Sequence, residues 1–152
     1  RAGRSKVEGE VIIQTYNEKH FVLRKVLEND YKGFYAKEKA DRENMGYPPF
    51  TRIALIETKD TSMDKAKGAA YDFYKEIIKY KNYLKISDPT TAQIFKLLNN
   101  FRYHILIKST KENDPGGAIL RKAILEAWTE FNKKSRYKDV KLFYDVDPQS
   151  IM

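Results

Sequence analysis

Asp145 and Asp147 stand two residues apart, so on an extended strand both carboxylates face one way, a spacing that can seat a magnesium ion. The commoner work of such a pair just before Pro148 is to end a strand and cap the next turn. Arg102, His104 and Lys108 occupy the even positions of a short alternating run and offer one cationic face to phosphate or carboxylate oxygens. His20 and His104 have no partner at metal-ligand spacing, which leaves them ordinary hydrogen bonding. Serine, histidine and aspartate all occur, but no motif gathers them into a nucleophile, a base and an orienting acid. The chain has no cysteine, so thiolate zinc sites, disulfides and cysteine nucleophiles are excluded together. It also lacks a glycine-rich phosphate loop ending in Lys-Ser or Lys-Thr, and an Asp-Glu magnesium motif, so this stretch is not expected to hydrolyse ATP. What the side chains offer is binding.

The charge says to what. Across 152 residues, 29 Lys and Arg stand against 21 Asp and Glu, a net +8 that favours phosphate backbones or acidic peptides as partners. Residues 75 to 111 hold eight basic side chains and only Glu76 and Asp88 as acids, so this quarter carries +6 of the excess. Lys81, Lys85, Lys96, Arg102 and Lys108 lie within it and are the candidates for phosphate contact; the alternative is that the lysines simply solvate a surface. Of the eleven Tyr and eight Phe, most belong to a core, Tyr103 among them. No apolar run approaches the roughly 18–20 residues of a membrane span, and no apolar stretch comes after the basic N-terminus as a signal peptide requires. A soluble, cytoplasmic chain with no membrane partner is therefore expected.

These residues need elements to hold them. Val11 to Ile13 are expected to form a short strand, Asn17 to cap a helix carrying Val22, Leu23, Val26 and Leu27, and Asp30 to cap a second helix that Gly46 and Pro48-Pro49 end. From residue 51 the periods alternate regularly. Arg52 to Thr58 reads as a strand, and Thr61 with Asp64 as a capping box opening a helix with apolar positions 66, 69, 70, 73, 74, 77 and 78. Tyr83 to Ser87 and Phe101 to Lys108 read as strands, the second with Phe101, Tyr103, Ile105 and Ile107 inward. Asp114-Pro115 starts a helix with a buried stripe from Ile119 to Phe131, and Val140 to Val146 closes as a strand. The order β-α-β-β-α-β with right-handed crossovers places both helices on one face of a four-stranded sheet, an α+β two-layer sandwich of the split βαβ kind. Its other face is left for a ligand, another domain, or the two N-terminal helices.

Particular strings of residues go further. Arg1-Ala2-Gly3-Arg4 resembles the end of helicase motif VI, and Gly9 to Asn17 resembles the segment just beyond that motif in the primosomal protein N′ family of replication-restart helicases. Asp30-Tyr31, Phe34-Tyr35, Arg42 and Tyr47-Pro48-Pro49-Phe50 are similar to a second signature of the family, and Asp145-Val146-Asp147-Pro148 to a third. The resemblance implies that residues 1–50 are the end of the second helicase lobe with its connecting helices, and 51–152 the family's C-terminal domain, which resembles a small-subunit ribosomal protein. It implies a piece of an enzyme that unwinds DNA 3′-to-5′ with ATP and magnesium, carries zinc, and assembles the primosome at stalled forks. Arg1 and Arg4 match motif VI arginines, which face the nucleotide's γ-phosphate. Relatives can place a basic residue near Gly117 and a polar one near Arg121; glycine at 117 departs from that pattern.

Two binding roles are then expected of this stretch. The first is attachment to forked or single-stranded DNA through Lys81, Lys85, Lys96, Arg102 and Lys108, by shape, since no base-reading motif is present. The alternative is a docking module, with little DNA affinity of its own, for the acidic tail of single-strand DNA-binding protein or other primosome proteins. That role falls to Arg121 and Lys122 beside the Ile119-Leu120 edge, where a guanidinium can fork a carboxylate.

Overall fold

The computed structural model describes residues 9–149 and divides the chain into two compact units that part between Ala40 and Asp41. Arg1 and Arg4 lie outside the described residues.

The first unit holds α1 (Phe21–Leu27) and most of α2 (Tyr31–Met45). No strand forms at Val11 to Ile13, contrary to expectation; these side chains are exposed and, among the described residues, have no partner strand to complete a ladder. The cap of α1 is His20, whose Nδ1 accepts from the Val22 amide, and not Asn17, which supplies only a carbonyl to the His20 amide. Asp30 caps α2 as its type predicts, accepting from the Gly33 amide at 2.8 Å. A Cβ at Gly33 would collide with that carboxylate, so the glycine is what lets the cap close. Past the end of α2, Gly46 takes the left-handed conformation that stops it.

The second unit is an α+β sandwich. Its strands are β1 (Thr51–Asp60), β2 (Lys85–Ile86), β3 (Thr90–Leu97), β4 (Asn100–Thr110) and β5 (Lys141–Val146), with α3 (Met63–Ile77) and α4 (Ala118–Asn132) between them. All pairings are antiparallel in the order β2-β4-β1-β5, and β3 joins β4 on the same edge as β2. Five strands thus fill the four places expected: the chain pauses at Ser87-Asp88-Pro89, and the Ser87 hydroxyl bonds the Leu106 amide across the interruption. β3 carries no clean alternation because its register on β4 shifts between Thr91 and Lys96.

The helices cover one face of the sheet. Ala54 and Ile56 of β1 and Ile105 and Ile107 of β4 meet Ala69, Phe73 and Ile77 of α3 and Leu120, Ile124 and Phe131 of α4 in one cluster. Each of the Ile, Leu and Phe side chains contributes roughly 1.5–3 kcal/mol on burial, and the alanines less. The cap of α3 is Ser62, one residue beyond the expected Thr61, and the Asp60 carboxylate takes the Ser62 amide. On the opposite face, Ile53, Leu55 and His104 are buried, so that face is not a bare polar plane.

Candidate functional site

The face opposite the helices brings Arg102 and His104 together as the alternation predicts, and adds a partner that spacing did not reveal. Glu57 on β1 lies in register with His104 on β4. Its Oε2 accepts from Arg102 Nε at 2.9 Å, from Arg102 Nη2 at 2.6 Å and from His104 Nε2 at 2.9 Å. A carboxylate only accepts, so Nε2 is the protonated ring nitrogen. Burial alone would push the Glu57 carboxyl up. The hydrogen bonds and charge of His104 and Arg102 outweigh it and hold the carboxyl at about 2, against an ordinary 4.5. The clue in the sequence was an acid interrupting the apolar run from Ile53 to Ile56.

The lysines are placed differently. Lys108 Nζ donates to the Met45 carbonyl at 3.0 Å and lies 4.2 Å from the centre of the Tyr47 ring, so it satisfies the carbonyl end of α2. Lys85 is its cross-strand neighbour. With Lys111 they edge a cavity of about 480 Å³ that Glu43 and Glu112 also line. Lys96 sits over the Phe101 ring at 4.9 Å, at the β3–β4 hairpin, and Lys81 is exposed after α3.

A second cavity, about 500 Å³, runs between α4 and β5. Leu120, Ile124, Leu125 and Trp128 line it from α4, and Tyr144 and Val146 from β5, with the Trp128 and Tyr144 rings edge to face at 5.5 Å. Arg121 lines it beside Leu120, whereas Ile119 packs against the core instead and Lys122 lies within 3.8 Å of Glu126. Arg52, a cation in the central strand, joins Arg121 there and went unforeseen. Its guanidinium donates to the Asp114 and Pro115 carbonyls at 2.9 and 2.7 Å, and Arg121 donates to the Gly116 carbonyl at 3.0 Å.

The loop beneath is built for this. The Asp114 carboxylate accepts from the Ile119 and Leu120 amides and from the Ser109 hydroxyl. It therefore caps α4 from four residues before the helix, while Gly117 at φ +70° makes the turn. A Cβ on Gly117 would lie 3.2–3.4 Å from the Arg52 side chain, so a side chain at 117 would press on the end of that arginine and displace it slightly.

The Asp145–Asp147 pair does not converge: Asp145 lies within β5, while the Asp147 carboxylate accepts from the Ile53 amide at 2.9 Å and ends the strand. Among the described residues no three His, Cys, Asp or Glu side chains gather as metal ligands. Nor is any helix among them long and apolar enough to cross a membrane. With no cysteine, the zinc implied by the family resemblance has no thiolate ligands in this stretch.

The second unit is thus an α+β sandwich with lysines beside one cavity and an apolar groove that ends in two arginines. The chain belongs to the primosomal protein N C-terminal domain family, which matches residues 43–149. It is similar to replication restart protein PriA of Thermotoga maritima, 35% identical over 72% of this chain and 14% of that protein. It is likewise similar to the PriA proteins of Haemophilus influenzae, 33% identical over 99% of this chain and 20% of that protein, and Bacillus subtilis, 31% over 100% and 18%. The chain thus spans a fifth or less of the length of these relatives.

Proposed function

We propose that this chain is the DNA-binding and partner-docking C-terminal part of a 3′-to-5′ replication-restart helicase that assembles the primosome at stalled forks in the bacterial cytoplasm. ATP, magnesium and zinc belong, in this reading, to parts of the longer protein outside this stretch. The observation that carries DNA binding is the lysine edge: Lys85 beside Lys108 across β2 and β4, with Lys111 next to them. Lys81 and Lys96 are exposed and are further candidates for phosphate contact, whereas the Arg102 guanidinium is engaged by Glu57.

The test is a salt titration of binding to forked DNA. Each phosphate neutralised adds about 0.9 to the slope of log affinity against log salt on duplex, or about 0.7 on single strands. Lys81→Ala, Lys85→Ala and Lys96→Ala together are expected to lower the duplex slope by about 2–3. Binding that is nearly independent of salt overturns the reading.

A second reading has its own support in the groove between α4 and β5. Two guanidiniums at one end of an apolar trough suit an acidic peptide, the chemistry of a single-strand DNA-binding protein tail. Arg121→Ala is expected to weaken peptide binding, followed at Trp128, and to leave DNA binding unchanged.

A further inference from the structure

We infer that the groove receives its peptide by strand addition, the peptide pairing along β5 as a new edge of the sheet with its acidic end on Arg52 and Arg121. This rests on the peptide-docking reading above and specifies how that site works.

β5 pairs with β1 in six uninterrupted register positions, and among the described residues no strand pairs with its outer side. One row of backbone N–H and C=O groups is therefore presented along about 20 Å, at roughly 3.3 Å per residue. Natural edge strands are usually blunted by proline, a bulge or a covering element. Residues 141–146 contain no proline and their register has no shift; Lys141 and Asp145 are their only charges.

The side chains agree with the backbone. Leu142, Tyr144 and Val146 share the helix-side face of β5, yet Tyr144 is 56% and Val146 45% exposed, because here the sheet overhangs the groove instead of the core. Leu125 on α4 is 66% exposed across from them. An added strand would lay every second side chain over these residues, burying apolar surface that the chain by itself leaves wet.

Charge sets the polarity of the ligand. Arg52 spends two N–H groups on loop carbonyls and Arg121 one, of the five each guanidinium carries, so both can still fork a carboxylate. Among the described residues one acid, Asp147, lines the groove, so two guanidiniums stand against one carboxylate, which also accepts the Ile53 amide. The occupant is an extended peptide of five or six residues, apolar at alternate positions and acidic where it meets the Val146 end of β5.

The test uses the 152-residue chain and synthetic heptapeptides of alternating leucine and threonine with two terminal aspartates. One series is N-methylated at the amides that would face β5, the other at the intervening amides. The expected result is at least tenfold weaker binding for the first series only, read from Trp128 fluorescence. Slowed hydrogen exchange is expected at the β5 amides that do not bond β1. Equal binding by the two series, with β5 exchange unchanged, overturns strand addition while leaving the docking reading standing. No binding by the unmethylated peptide overturns both. A chain already dimeric, with β5 protected before peptide is added, assigns the edge to a second copy and also overturns the proposal.

Discussion

Glu57→Gln removes one charge at nearly constant shape from the face opposite the helices, and its consequence can be worked from the geometry. The carboxylate takes three N–H bonds, two from Arg102 and one from His104, and the side chains of Glu57, Arg102 and His104 are 15%, 11% and 7% exposed. Breaking a fully buried pair costs about 3–5 kcal/mol, and an exposed one about 0–1. This cluster lies nearer the buried limit, and Lys59 at 3.9 Å is a minor partner, so a loss of about 2–3 kcal/mol is expected. For a domain of this size that is a fall of roughly 4–12 °C in Tm by calorimetry. The carboxyl is held at about 2 against an ordinary 4.5, so its folded form binds its proton later than the unfolded chain does. The stabilisation is complete above pH 4.5 and is lost as pH falls toward 2. In the Gln variant that part of the acid limb should flatten. Arg102→Met alone should also destabilise, and the double variant should lose less than the sum by about 1–3 kcal/mol. A Gln variant melting within about 1 °C of the parent, with an unchanged acid limb, refutes the assignment of Arg102 and His104 to Glu57.

Other substitutions probe the loop before α4. Asp114→Ala removes the acceptor of two helix amides and a buried serine hydroxyl, and is expected to cost about 2–3 kcal/mol in urea denaturation. Burial opposes ionisation of Asp114, but the amide and hydroxyl bonds hold its carboxyl below the ordinary value, so its contribution too is present at neutral pH and fades in acid. Gly117→Ala should cost about 1–2 kcal/mol, from the left-handed backbone and the contact with Arg52, and should weaken acidic-peptide binding by displacing the guanidinium.

The sandwich was legible wherever one face of an element meets the core. Ala66, Ala69, Ala70, Phe73 and Ile77 of α3, and Leu120, Ala123, Ile124, Ala127 and Phe131 of α4, are buried as their spacing predicts. β3 escaped because a register shift breaks the alternation that identifies a strand. Val11 to Ile13 misled in the opposite sense, since β-branched residues without a partner strand have no ladder to join. Arg102 and Lys108 were correctly set on one face, but spacing along one strand cannot show which groups the next strand and the preceding segment bring to them, here Glu57 and the Met45 carbonyl. Arg52 was hidden for the same reason: it meets Arg121 only after β1 and the start of α4 are laid side by side. The alternation of Leu142, Tyr144 and Val146 was real, though half of what it points at is open groove.

The close approach of Arg52 to Gly117 couples those two positions. A long basic side chain can start from the strand or from the turn before the helix; with both present the Arg52 side chain must shift and the left-handed backbone at 117 is strained. Homologous chains should therefore trade one for the other, a bulky cation at 117 accompanying a smaller residue at 52. Positive charge at the mouth of the trough would then persist through evolution although the residue supplying it changes.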